Sequence, residues 1–155
     1  MKRVCSAWLI VVCLSTIVAA EQARAGSPDR LDVLLDAIAQ VESNGDSTAT
    51  GDGGKALGMF QIHRAYWADG TRFLGVDWSY AQARNPVKAR AVVRAYLHHY
   101  GRGRSLLDMA RIHNGGPNGH TRQSTLRYAR RIAGILDTLA AETACHTAAA
   151  RPTDA

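Results

Sequence analysis

Two carboxylates set the chemical question in this 155-residue sequence. Glu42 follows a run of Leu31, Leu34, Leu35, Ile38 and Val41 at helical spacing. Counted at about 100° per residue, it falls at the centre of the stripe made by Leu31, Leu35 and Ile38. It therefore points along the buried face, where the chain turns into a Gly-rich loop. One reading is a helix-end glutamate whose carboxyl reaches back to water. The chemical reading is a carboxyl partly removed from water, with its pKa raised so that it stays protonated as a general acid.

Asp46 and Asp52 flank the segment Ser47-Thr48-Ala49-Thr50-Gly51. Each can be a turn residue capping its own backbone, the common use of Asp beside Gly. A calcium loop fails, because Leu57 stands where a bidentate Glu is required. What raises Asp52 is pairing, since a loop carboxylate ten residues after a buried-face Glu can fold back to face it. Two carboxyls in unlike environments, one protonated and one ionised, are what glycoside hydrolysis needs.

Other constellations are weak. His98 and His99 are adjacent and point to different sides of a helix, against a shared metal. No H-E-x-x-H, C-x-x-C or phosphate-loop spacing occurs, and no metal or organic cofactor is implied. The net charge of +6 favours anionic partners. The bases are scattered without an aromatic-interleaved patch, however, so nucleic acid is not expected as a partner.

The elements that must position these residues are mostly helical. Met1 to Ala25 read as an export signal: a basic start, an apolar stretch from Val4 to Ala20, then Ala23-Arg24-Ala25 as a small-x-small cleavage site. A cut after Ala20 competes with it. Cys5 and Cys13 leave with that segment and Cys145 remains alone, so the exported domain must rest on its core. The catalytic domain is then 26–142 and a frayed polar tail 143–155.

Ser27-Pro28-Asp29 opens the first helix, with Ser as N-cap. Gly45 can close it in a left-handed turn. Residues 44–58 read as loop or a small irregular hairpin, and Met59 to Ile62 as a short apolar stretch. Asn85-Pro86 starts a second helix, and Ser105 with Asp108 a third, running to about Ile112. Thr121 to Ala141 forms a fourth. The expected class is mainly α, a compact helical domain with a small hairpin region beside a cleft.

Three blocks, in order, resemble a known family. Val41-Glu42-Ser43-Asn44-Gly45 and then Ala56 to Ile62 resemble the active-site segment shared by lysozymes and lytic transglycosylases. Gln61 through Gly70 resembles the invertebrate-type (destabilase-like) lysozymes in particular. The most specific block is Ala110 to Gly119, with His113-Asn114-Gly115-Gly116-Pro117 at its heart, followed by Ser124-Thr125 and Tyr128. The resemblance implies a lysozyme-like α+β fold with the catalytic acid on Glu42. It places the second carboxylate on Asp52, with Asp46 left open. It implies sugar contacts at Gln61, His63, Arg64, Tyr66, Trp67, Asp69, Tyr96, His113, Asn114 and Gly115. For Trp67 and Tyr96 a core position competes, and for His113 a helix C-cap.

Two departures stand out. The animal members are disulfide-rich, whereas one cysteine remains here. The stretch Gly53-Gly54-Lys55-Ala56-Leu57 lacks the serines associated with isopeptidase activity, so that activity is not carried over. The expected function is hydrolysis of the β-1,4 bond between N-acetylmuramic acid and N-acetylglucosamine in peptidoglycan glycan strands. The expected enzyme is an exported monomer with no stable membrane association. A lytic transglycosylase using Glu42 alone, giving 1,6-anhydro products, is the first alternative. A catalytically dead wall-binding protein is the second.

Overall fold

A computed structural model describes residues 29–149. The expected signal segment, Ser27-Pro28 and the last six residues lie outside the described residues. The order is α1 (Arg30–Ser43), β1 (Thr50–Gly51), β2 (Ala56–Leu57), β3 (Ile62–His63), α2 (Arg64–Leu74), α3 (Pro86–Tyr100), α4 (Leu106–Gly115) and α5 (Leu126–Ala149). Short 3-10 turns fill 52–54, 80–84, 119–121 and 123–125.

Helix α1 is the core element, packing against α3, α4 and α5. Leu34, Leu35, Ala37 and Ile38 are fully buried along it, together with Phe60, Ile62, Val92, Val93, Leu97, Ile112 and Ile132 from the surrounding elements. Burying each large aliphatic side chain contributes roughly 1.5–3 kcal/mol, and the described part of the chain holds no disulfide to add to that. Arginines clamp the helices at their edges. Arg90 reaches Asp32 at 3.3 Å and Asp36 at 2.7 Å, while Arg94 reaches Asp29 at 2.9 Å and also Asp32.

The helix starts follow from their caps. Asn85 accepts from the Lys88 amide at 3.0 Å, and Ser105 from the Asp108 amide at 3.1 Å. Three boundaries differ from the sequence reading. The N-cap of α1 is Asp29, whose carboxylate accepts from the Leu31 amide at 3.3 Å, rather than Ser27. Helix α4 continues past Ile112 to Gly115. The last helix begins at Leu126 because 119–125 is tied into 3-10 turns, and it runs to Ala149, through much of the expected tail.

Residues 44–63 form a three-stranded antiparallel sheet in the order β1-β2-β3. Gly51 pairs with Ala56, and Ala56 with His63. That register sets Asp52, at the β1–β2 turn, two strands away from His63.

Candidate active site

Glu42 stands in the last turn of α1. Asn44 closes the helix in the left-handed region at φ 56°, and the Asn44 and Gly45 amides bond back to the Gln40 and Ala39 carbonyls. The chain therefore leaves α1 sharply, and the Glu42 carboxyl is left beside the loop and α4. Its side chain is 20% exposed.

His113, on α4, closes over Glu42, with Nε2 at 3.5 Å from Oε1. The imidazole is only 4% exposed and is pinned twice more. Nε2 lies 3.2 Å from the Phe60 carbonyl oxygen and Nδ1 lies 3.1 Å from the Tyr66 hydroxyl. A carbonyl can only accept, so Nε2 carries a hydrogen, shared between Phe60 and the field of Glu42. Tyr66 can donate to Nδ1 of the neutral ring or accept from the imidazolium. Tyr66 is itself braced by stacking on Tyr96 at 3.6 Å.

Burial is the largest single influence on Glu42, and it raises the carboxyl's pKa. His113, Tyr128 and Arg131 together outweigh it, so the carboxyl sits below its ordinary range. This corrects the expected raised pKa. The stripe is buried as expected, but α4 and α5 bring compensating groups to Glu42. The Tyr128 hydroxyl is buried without a hydrogen bond of normal length. It nevertheless faces Glu42 closely enough to favour the ionised carboxyl as a donor. Burial and that charge push its own phenol far up, so it stays a neutral donor.

Asp52 enters from the turn between β1 and β2. Its backbone is left-handed at φ 49°, as is that of Gln61 at φ 46°. Gly51 makes room for this: a Cβ there would lie 2.2 Å from the Gln61 carboxamide oxygen. Asp52 Oδ2 is 2.7 Å from His63 Nε2, with the carboxylate 68% exposed. Asp46, by contrast, accepts from the Thr48 amide at 2.8 Å and the Thr48 hydroxyl at 2.7 Å. Its carboxyl closes a turn and does not line the cleft.

Glu42, Asp52, Gln61, His63, Tyr66, His113 and Asn114, with Ala56, line one cleft of about 200 Å³. Five candidate positions lie outside it. Trp67 is 3% exposed and donates from Nε1 to the Trp78 carbonyl at 2.9 Å, which makes it a core residue. Tyr96 is equally buried and supports Tyr66 from behind. Asp69 joins α2 to α3, accepting from Tyr100 at 3.0 Å and Arg72 at 2.8 Å. Gly115 is a packing glycine, where a Cβ would meet the Thr125 methyl at 2.6 Å. Arg64 faces a neighbouring cavity. Three of the five, Arg64, Trp67 and Asp69, lie on α2, which turns only Tyr66, among its aromatic and acidic side chains, toward the cleft.

Tyr128 lies in the apolar core behind the cleft, and sequence reasoning did not connect its phenol with Glu42. The signal lay in its type, because a phenol on an apolar helix face needs a polar neighbour. A larger cavity of 640 Å³, lined by Leu31, Phe73, Leu74 and His98 among others, holds Asp29, but that carboxylate is taken by Arg94. Among the described residues no group of three or more His, Cys, Asp or Glu could hold a metal ion. No helix among them is long and apolar enough to cross a membrane.

Over 105 residues the chain is 41% identical to a lysozyme of Ostrea edulis, covering 63% of this chain and 74% of the oyster protein. A lysozyme of Magallana gigas is 40% identical and lysozyme 1 of Crassostrea virginica 42% identical, each over 81 residues. The chain spans 58% and 43% of their lengths, and each match covers 50% of this chain. A chain in the crystal structure of Aeromonas hydrophila PliI in complex with Meretrix lusoria lysozyme superposes with a TM-score of 0.58 at 31% identity. That match covers 66% of this chain and 88% of the other.

The mainly α fold with its small sheet, and these relatives, define a lysozyme-type glycosidase. Residues 32–134 match the destabilase family, and the chain belongs to it.

Proposed function

We propose that this protein cleaves the β-1,4 bond between N-acetylmuramic acid and N-acetylglucosamine in peptidoglycan, after export directed by residues 1–25. The observation that carries the reading is the pair of unlike carboxyls in one cleft: Glu42 at 20% exposure beside His113, and Asp52 at 68% beside His63.

Glu42 acts as general acid toward the glycosidic oxygen, and then as base toward water. In the free protein its carboxyl is ionised at neutral pH, because His113, Tyr128 and Arg131 favour the charge. A sugar seated in the cleft displaces water from Glu42 and strengthens the opposing influence of burial. Substrate binding thus raises the pKa of the group that must carry the proton. Asp52, open to solvent and turned toward His63, holds or attacks the positive anomeric carbon. Gln61, His63, Tyr66 and Asn114 supply hydrogen-bonding groups for hydroxyl and N-acetyl substituents along the cleft, with no cofactor. His113 is too enclosed for a sugar contact and acts through Glu42.

Mass spectrometry of muropeptides released by wild type, Glu42→Gln and Asp52→Asn tests this reading. Reducing-end products, lost in both variants, are expected. Anhydro-muropeptides with Asp52→Asn still active would replace hydrolysis by transglycosylation through Glu42 alone. Binding of the wall without any release of product would leave a wall-binding protein.

A further inference from the structure

Beside the catalytic cleft lies a second cavity, of 330 Å³, lined by Gly54, Lys55, His63, Arg64, Ala65 and Tyr80. His63 lines both cavities. The second one has no acidic lining residue and two permanent cations.

Those cations are uncommitted. Arg72, Arg90, Arg94 and Arg111 are all paired with aspartates. The Lys55 and Arg64 side chains make no ion pair or hydrogen bond among the described residues. Arg64 is nevertheless ordered by its surroundings, since its guanidinium carbon lies 4.6 Å from the centre of the Tyr80 ring. That ring is fixed in turn. Its hydroxyl is 2.7 Å from the Lys55 carbonyl oxygen and 2.8 Å from that of Ile62. A guanidinium laid on an aromatic face keeps its N–H edge available, and that edge matches the planar geometry of a carboxylate. Tyr80 thus ties the Lys55 backbone, the end of β3 and the Arg64 head group into one rigid cationic wall.

We propose that this cavity is a carboxylate-binding subsite for the peptide stems of peptidoglycan. The proposal rests on the peptidoglycan reading of the cleft. In peptide-bearing strands N-acetylmuramic acid carries, through its lactyl group, a short peptide with free carboxylates, so the stem hangs from the very sugar whose anomeric carbon reacts. A glycan lying past Glu42 and Asp52 can send a stem over His63 toward Lys55 and Arg64. Arg64 is thereby reassigned from a sugar contact to a peptide-carboxylate contact, and Lys55 acquires a role. The subsite makes the enzyme prefer peptide-bearing glycan over bare glycan.

The test compares kcat/KM on peptidoglycan strands with kcat/KM on the same strands stripped of their peptides by an amidase. The proteins are wild type, Arg64→Gln, Arg64→Lys and the double variant Lys55→Gln/Arg64→Gln. Wild type should favour the peptide-bearing strands. The double variant should lose roughly five-fold or more of that ratio, the scale of exposed charge-assisted contacts, with the loss in KM. Arg64→Lys should fall between, keeping the charge without the fork, and added salt should lower the wild-type ratio. A ratio that the active double variant leaves unchanged overturns the subsite while the peptidoglycan reading stands. Folded wild-type protein that cleaves neither polymer overturns both.

Discussion

At the scale of single residues, the behaviour of Glu42 decides the chemistry. Glu42→Gln should abolish wall lysis with the helical circular-dichroism signal unchanged, and lysis by the folded variant would dismiss the assignment. The variant should lose rather than gain stability at neutral pH. The native carboxyl is held below its ordinary range, so its charge contributes stability above about pH 4.5 and the contribution is lost as pH falls through the folded value. His113 gives a sharper test. It is the chief influence lowering the Glu42 pKa, so His113→Gln should raise that pKa and move the alkaline limb of the kcat/KM profile upward. A sugar-contact role would instead raise KM at every pH and leave the limb in place. Glu42 itself was legible in the sequence, because a carboxyl on an apolar stripe needs explaining. The direction of its pKa was not, since His113 and Tyr128 reach it from distant parts of the chain.

At the scale of elements, caps and stripes predicted what local chemistry controls. Asn85-Pro86 and Ser105 with Asp108 mark the starts of α3 and α4, because the cap and the amide it satisfies lie within three residues. Helix α2 gave a weaker signal. His63 at its N-terminus makes no side-chain cap. Its buried positions are Trp67, Gly70 and Thr71, a face too mixed to read as an apolar stripe. The resemblance alone offered Trp67 and Asp69 as sugar contacts, and no helix reading assigned their faces. The hairpin was legible as Gly-rich irregular chain, but the pairing that brings Asp52 to His63 depends on non-local packing. Gly58 pins that hairpin to the turn at 80–84. It has φ 72°, and an added Cβ would lie 2.2 Å from the Ala83 carbonyl oxygen. Both the backbone and the clash oppose a side chain, so Gly58→Ala should destabilise the protein by about 2 kcal/mol or more, read in chemical denaturation. Gly53→Ala, at φ 63° with open space around it, should cost less. Equal losses would show that strain alone governs the loop.

At the scale of the whole molecule, the described fold is held by apolar burial around α1 and by an arginine–aspartate network along its edge. Arg94 links Asp29 and Asp32, and Arg90 links Asp32 and Asp36, so α1 and α3 are joined by charge as well as by packing. Hydrogen bonds from Arg94 are the largest influence on Asp29 and Asp32, and they hold both carboxyls below their ordinary value. A depressed folded pKa means that the unfolded chain binds protons more readily. The network's contribution is therefore complete above about pH 4 and is lost as pH falls through the folded values. Both carboxylates are solvent-exposed enough for salt to screen them, which keeps the term small per pair and dependent on ionic strength. Arg94→Gln should accordingly lower Tm at pH 6 in dilute buffer and flatten the fall of Tm below pH 4. Calorimetry of wild type and variant from pH 2 to pH 7, at low and at high salt, reads both effects. The two curves should converge at the acid end, where the aspartates are neutral, and their separation at pH 6 should shrink with salt. Parallel curves across the whole range would mean that Arg94 contributes through the packing of its aliphatic stem, and that the acid sensitivity of the fold originates at Glu42 instead.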